Sequence, residues 1–256
     1  MTRLHVAVAG EGPTVVVLHG FTGSGTAMAP LTERLARSRR VVAVDLVGHG
    51  RSPIPDDPAA YTVDAMAVDV GEVIGDAPAP VVGYSMGGRV ALTLACRRPS
   101  VVTSLVLIGA TPGLADPAAR AERRASDEEL AGSIETGGLE AFVDRWMANP
   151  LFASQDALGE AFLAEARAQR LAADPRGLAR SLRGGGTGAM TPLHDRLPTC
   201  TVPTVLVVGE LDAKFRAVAA SMALPDARVE VVAGVGHAAH LEAPDRVVDI
   251  VMGHTA

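Results

Sequence analysis

Aromatic residues are scarce, 3% of the 256-residue chain, with one tryptophan and two tyrosines. A core built from stacked rings is therefore excluded, and Val, Leu and Ala have to fill the interior. Basic residues are outnumbered, 23 Lys and Arg against 29 Asp and Glu, for a net charge of −6. That balance speaks against a nucleic-acid or anionic-membrane surface; an anion site would need a local cluster of arginines. Cysteine is nearly absent. Cys96 and Cys200 are too few for a disulfide framework and are expected to be reduced thiols. No run reaches the ~18 apolar residues of a membrane span. Met1–Val6 lacks a targeting signature, so a cytoplasmic location is expected. Repeats and low-complexity tails are also missing.

What is present is a chain with 48% apolar and 20% charged residues, long enough for one or two domains. Short β-branched runs at Thr14–Leu18, Arg40–Asp45, Pro80–Val82, Val101–Ile108, Pro203–Val208 and Arg228–Val232 read as strands. Most are apolar throughout, as strands covered on both faces are. Residues 4–9 alternate weakly and read as an edge strand. Helical patterns lie between the runs; Met28, Leu31 and Leu35, for example, share one face. Alternating β and α segments predict an α/β fold with a mostly parallel sheet and helices on both faces. Between Leu114 and Arg183 no strand pattern occurs. About four helices are expected there, broken at Gly137-Gly138, Asn149-Pro150 and Asp174-Pro175, with Gly184–Gly188 as a flexible exit. The expected division is a core of residues 1–113 and 191–256 and a helical cap, or lid, of residues 114–190.

One motif organises the rest. Gly83-Tyr84-Ser85-Met86-Gly87 follows an apolar run and precedes a helical pattern. Strand, tight corner and helix make G-x-S-x-G a nucleophile elbow, with Ser85 at the corner. A serine hydroxyl holds its proton at neutral pH and needs an imidazole oriented by a carboxylate. Asp212 lies just past one later strand and His237 just past the next, in the order Ser, acid, His. Glu210 and His240 are nearby competitors, read as a surface or lid contact and a packing or capping residue. Developing negative charge needs two backbone N–H donors. Met86 follows the nucleophile, and Phe21 sits in the loop His19-Gly20-Phe21 after the first buried strand. His19 reads as a loop support. Arg89 stands in the first turns of the elbow helix, where the dipole disfavours a cation. It therefore suggests a bound anion rather than a surface arginine. Tyr84 and Trp146 are candidates for the pocket wall, Trp146 equally for lid core.

The chain resembles the α/β-hydrolase superfamily over essentially its full length. Within it, the chain is most similar to the menaquinone-pathway lyases, the 2-succinyl-6-hydroxy-2,4-cyclohexadiene-1-carboxylate (SHCHC) synthases. The resemblance rests on His19–Gly25, on Gly83–Arg89, on Thr111–Leu114, and on Trp146 with Pro150 and Phe152. Gly209–Phe215 and Gly236–Glu242 complete it. It implies elimination of pyruvate from a polycarboxylate, with the triad as the proton-abstracting device and no metal or organic cofactor. It also implies substrate contacts from Arg123 (or Arg124, one position on), Arg170, Lys214 and Phe215. Met190 and His194 depart from the family pattern, which bears on the pocket's shape. A monomer acting on a small anionic substrate is expected. The rivals are a serine hydrolase (carboxylesterase, lactonase or C–C bond hydrolase) with Ser85 as covalent nucleophile, and a non-catalytic ligand sensor.

Overall fold

The computed structural model describes residues 1–255. The β-branched runs form a seven-stranded sheet in the order β1-β3-β2-β4-β5-β6-β7. Its strands are β1 (Val6–Ala9), β2 (Thr14–Leu18), β3 (Arg40–Val44), β4 (Ala79–Tyr84), β5 (Val102–Ile108), β6 (Thr204–Gly209) and β7 (Arg228–Val232). The edge strand β1 pairs antiparallel with β3, and the other neighbours pair in parallel. The α/β expectation therefore holds.

Strand periodicity divides the core. Val16, Leu18, Val81, Leu105 and Leu107 face one side; Val15, Val17, Val82, Val106 and Ile108 face the other. The first face is covered by α2 (Val63–Ile74) and α3 (Met86–Arg97), with Ala219 of α8 (Ala213–Ser221). The second is covered by α1 (Ala29–Leu35), α9 (Ala239–Glu242) and α10 (Pro244–His254). Each fully buried Val or Leu contributes about 1.5–3 kcal/mol, so these aliphatic layers suffice without many rings. Among the described residues, Tyr61 and Phe142 are the only rings in the set of largest fully buried side chains.

From β2 the chain goes to β3 on one side and then to β4 on the other. Ligands bind at such a reversal, outside the carboxyl ends of the strands. Leu18 pairs with Gly83, so β2 and β4 end side by side. This places the loop after β2 next to the corner after β4.

The segment between β5 and β6 is helical: α4 (Pro117–Gly137), α5 (Leu139–Met147), α6 (Glu160–Leu171) and α7 (Pro175–Gly185), with a long 3-10 stretch at Pro150–Leu158. Asp116, Asn149 and Asp174 cap their helices through side-chain oxygens. Ile134, Phe142, Val143, Leu178 and Leu182 form a third apolar cluster. Arg183 bridges Glu128 and Glu135, tying α7 to α4, and Arg167 pairs with Asp144 and Glu140. Among the described residues no helix is long and apolar enough to cross a membrane.

Two expectations change. Gly184–Gly188 is not a flexible exit. Gly184 and Gly185 end α7, and a methyl on Gly184 would lie 2.7 Å from Tyr61 Cβ. The glycines permit close packing rather than motion. Met190 is buried in the main core and His194 is exposed, so neither departure from the family pattern reaches the Ser85 cavity. Cys96 and Cys200 are free thiols.

Candidate active site

The corner after β4 is strained. Ser85 has φ 49° and ψ −106°, a backbone shape that ordinary side chains avoid. Close approach fixes its neighbours. A methyl on Gly83 would lie 2.6 Å from the Gly87 carbonyl oxygen, and one on Gly87 would lie 2.5 Å from that of His19. Both positions require glycine. The Gly87 N–H donates to the His19 carbonyl at 3.0 Å, joining the elbow to the loop after β2.

Two further strand ends meet the serine. His237 Nε2 lies 3.2 Å from Ser85 Oγ, and His237 Nδ1 lies 2.8 Å from Asp212 Oδ2. With Nδ1–H donating to the carboxylate, Nε2 is left to accept the serine proton. Asp212 and His237 are 6% and 3% exposed, so little water competes for these bonds. The other Asp212 oxygen accepts from the Phe215 N–H at 3.0 Å, capping α8. One carboxylate thus anchors a helix and orients an imidazole.

The histidine loop is braced by two glutamates. Glu242 accepts from the N–H groups of Gly236 and Ala238 at 2.7 and 3.2 Å. Glu210 accepts from the Gly234 N–H at 2.8 Å; it is a surface brace, with no hydrogen bond to the helices of residues 114–190 among the described residues. Glu242 was readable only as part of a motif, because its bonds depend on the loop's fold. His240 is buried with its ring centroid 4.1 Å from that of Tyr84; burial and nearby His237 lower its pKa to about 3, so it stays neutral. His19 accepts from the Leu46 N–H at 3.0 Å and donates from Nδ1 to its own loop at the Gly20 carbonyl. Burial lowers its pKa as well, as suits a loop support. Phe21 and Met86 line the cavity with Ser85, and among the described residues neither N–H has a hydrogen-bond partner.

Ser85 opens onto an inner cavity of about 120 Å³, lined also by Tyr84, Arg89, Arg123, Trp146, Lys214, Phe215 and His237. A wider space of about 1160 Å³ adjoins it, sharing Arg123, Trp146, Leu151, Lys214 and His237. Drug-sized ligands occupy roughly 300–1,000 Å³, so a ring-sized substrate would use both. Arg89 is 7% exposed and donates to the Gly185 carbonyl. Burial, with Arg123 nearby, lowers its pKa to about 10, which leaves it charged at neutral pH. Arg123 Nε donates to Asp127 at 2.8 Å. Arg124 turns away to the Gly188 carbonyl, so Arg123 is the cavity residue of the two. Lys214, the chain's only lysine, has its ammonium 5.8 Å from the Phe215 ring centroid. Phe215 in turn lies 4.4 Å from the His237 ring. Trp146 packs against Phe21, Phe142 and Phe152 while facing the cavity, so it is wall and core together.

Arg170 is the exception. It lines a separate cavity of about 360 Å³ that shares Phe21 and Tyr84 with the serine's cavity. Its Nη1 is committed to the Ala166 carbonyl at 2.8 Å, and burial lowers its pKa. The structure therefore places Arg170 beside the serine's cavity rather than in its lining, with its Nε buried and without a partner among the described residues. Among the described residues no cluster of His, Cys, Asp and Glu is arranged to hold a metal ion.

The chain is 35% identical over 244 residues to the SHCHC synthase of Salmonella typhimurium (strain LT2), covering 93% of this chain and 91% of that protein. It is 40% identical over 247 residues to a Bacillus subtilis (strain 168) protein that carries the same synthase name provisionally, covering 93% and 90%. The solved structure of MenH from S. aureus superposes with a TM-score of 0.92 at 32% identity, covering 99% of this chain and 97% of that one. The model of the alpha/beta hydrolase family matches residues 15–250, and the chain belongs to that family.

Proposed function

We propose that the protein is an SHCHC synthase acting in menaquinone biosynthesis. It eliminates pyruvate from 2-succinyl-5-enolpyruvyl-6-hydroxy-3-cyclohexene-1-carboxylate. The observation that carries this reading is the company the triad keeps: full-length similarity to synthases of that name, with Arg89 and Arg123 lining the serine's own cavity. An ester pocket has no need of paired guanidiniums. A polycarboxylate does, and guanidinium is the side chain best shaped for carboxylate.

In this mechanism His237, held by Asp212, takes the Ser85 proton. Ser85 then removes the ring proton beside the succinyl ketone. The electron pair moves into the ring and through its double bond, and the ring C–O bond breaks. Enolpyruvate leaves and takes up a proton to become pyruvate, and the ring is left as the 2,4-diene. The enolate oxygen formed on the way accepts from the Phe21 and Met86 N–H groups. An oxyanion hole serves an enolate as well as a tetrahedral adduct, so the hydrolase machinery needs no acyl-enzyme here. The helices of residues 114–190 act as a lid carrying Arg123 and Trp146. We take the protein to work in the cytoplasm, as a monomer, without a cofactor.

The test is direct. Purified protein is incubated with the enolpyruvyl substrate, and pyruvate is followed with lactate dehydrogenase and NADH beside the diene absorbance. Equal release of both products is expected, lost in Ser85→Ala by at least about a thousandfold. Rapid cleavage of a p-nitrophenyl ester without pyruvate release would instead identify a serine hydrolase.

A further inference from the structure

Asp127 belongs to none of the machinery described so far, yet it is a carboxylate only 4% exposed in the middle of α4. Its one hydrogen bond among the described residues goes to Arg123 Nε, four positions earlier on the same helix. The second oxygen, Oδ2, is buried without a partner. It faces Gly186, where a methyl group would lie 2.3 Å from it. A buried carboxylate with an idle oxygen is costly, and it joins no two elements of the fold. Packing alone would be served as well by an uncharged side chain of the same size.

The arginines supply the reason. Arg123 and Arg89 line the same small cavity. Each arrives from a different element, α4 and α3, and two like charges in one cavity repel. Arg89 is tied through the Gly185 carbonyl, one residue before the glycine that leaves room for Asp127. Arg123 is tied through Nε alone, and among the described residues its Nη1 and Nη2 have no partner. With Lys214 in the same lining, the cations of this cavity outnumber the one carboxylate that Arg123 meets, which leaves it positively charged and suited to a carboxylate group.

We propose that Asp127 is a positioning residue that holds Arg123 beside Arg89, making of the two a receptor for one carboxylate of the substrate. The inference rests on the anion-binding reading of the site given above. Asp127 itself touches no substrate; it acts through Arg123. Its function is to fix the register of one guanidinium against the repulsion of another.

The test reads binding rather than turnover. Trp146 is the chain's only tryptophan and lines the same cavity, so its fluorescence reports occupancy. 2-Oxoglutarate, a ketone bearing two carboxylates, is the probe. Asp127→Asn is expected to weaken its binding about tenfold, the value of one charge-assisted hydrogen bond, with little change in Tm. Arg123→Met should lose a similar amount, and the double variant should lose little more than either, because the two residues act as one unit. Asp127→Glu, which keeps the charge, should bind more tightly than Asp127→Asn. If Asp127→Asn does not fold, Asp127→Ser replaces it in the same comparison. Unchanged binding in Asp127→Asn, full additivity with Arg123→Met, or no binding by the unaltered protein would overturn the proposal. A protein that binds the probe in this pattern but releases no pyruvate from the enolpyruvyl substrate refutes the reaction while supporting the receptor.

Discussion

Arg89→Met separates anion recognition from triad chemistry. The guanidinium is buried, its one hydrogen bond goes to the Gly185 carbonyl, and it sits in the first turn of α3. Methionine keeps the apolar stem. Removing the bond leaves a buried carbonyl unpaired, at a cost of about 1–3 kcal/mol. Removing the cation relieves its desolvation and its clash with the helix dipole, the latter worth about 0.3–1 kcal/mol. These terms oppose, so the net change in stability should be small, a shift in Tm of a few degrees at most. Binding has no such compensation. One charge-assisted hydrogen bond to a carboxylate is worth about 1.5–3 kcal/mol, which corresponds to roughly a 10- to 150-fold fall in kcat/KM. Most of it should appear in KM if the carboxylate is bound equally in ground and transition states. The assay is pyruvate release across substrate concentrations, run beside hydrolysis of p-nitrophenyl acetate as a neutral probe of Ser85 and His237. An equal loss in both activities would mean that Arg89 supports the elbow rather than the substrate. An unchanged kcat/KM for pyruvate release would remove it from the site.

Buried neutral histidines make stability pH-dependent. The pKa values of His49 and His240 are both lowered to about 3, chiefly by burial. Above the unfolded value near 6.5 each is neutral in both states, and its full contribution is present. Below it the unfolded chain takes up protons that the native state refuses, so stability falls progressively toward the folded pKa. Between pH 6.5 and 5 each should cost about 1.6 kcal/mol, seen as a lower urea midpoint; a flat midpoint over that range would contradict it. Met190→Gln places an amide in the main core, where Met190 is 3% exposed. It should lower stability by about 1–3 kcal/mol and leave KM unchanged, whereas a changed KM would make position 190 a substrate contact.

The fold was readable because its signals are local. A parallel strand announces itself by a β-branched run, and six such runs became β2 to β7, all but the edge strand β7 largely buried, within a residue or two at each end. The elbow was readable for the same reason. Gly83, Ser85 and Gly87 answer to sterics within five residues, and the later strand ends bring Asp212 and His237 to Ser85 once the sheet is parallel. Chain order alone therefore contained most of the triad's geometry.

What was not readable depends on packing between distant segments. Gly184–Gly188 reads as a hinge by composition, yet composition cannot distinguish a glycine that frees the backbone from one that lets two surfaces touch. Here Tyr61 and Asp127 occupy the space where side chains would be. Asp127 reads as one more charge on a polar helix, because nothing local says that its face is covered by α7. Arg170 shows the converse. A motif can assign it to a substrate, but the α6 backbone holds its guanidinium in a neighbouring cavity that shares Phe21 and Tyr84 with the serine's own. A hydrogen bond to a carbonyl four residues back is the local option always open to a long helical side chain. That bond uses only Nη1 of Arg170, and its Nε is buried without a partner among the described residues. Arg123, by contrast, lines the serine's own cavity with its Nε bonded to Asp127.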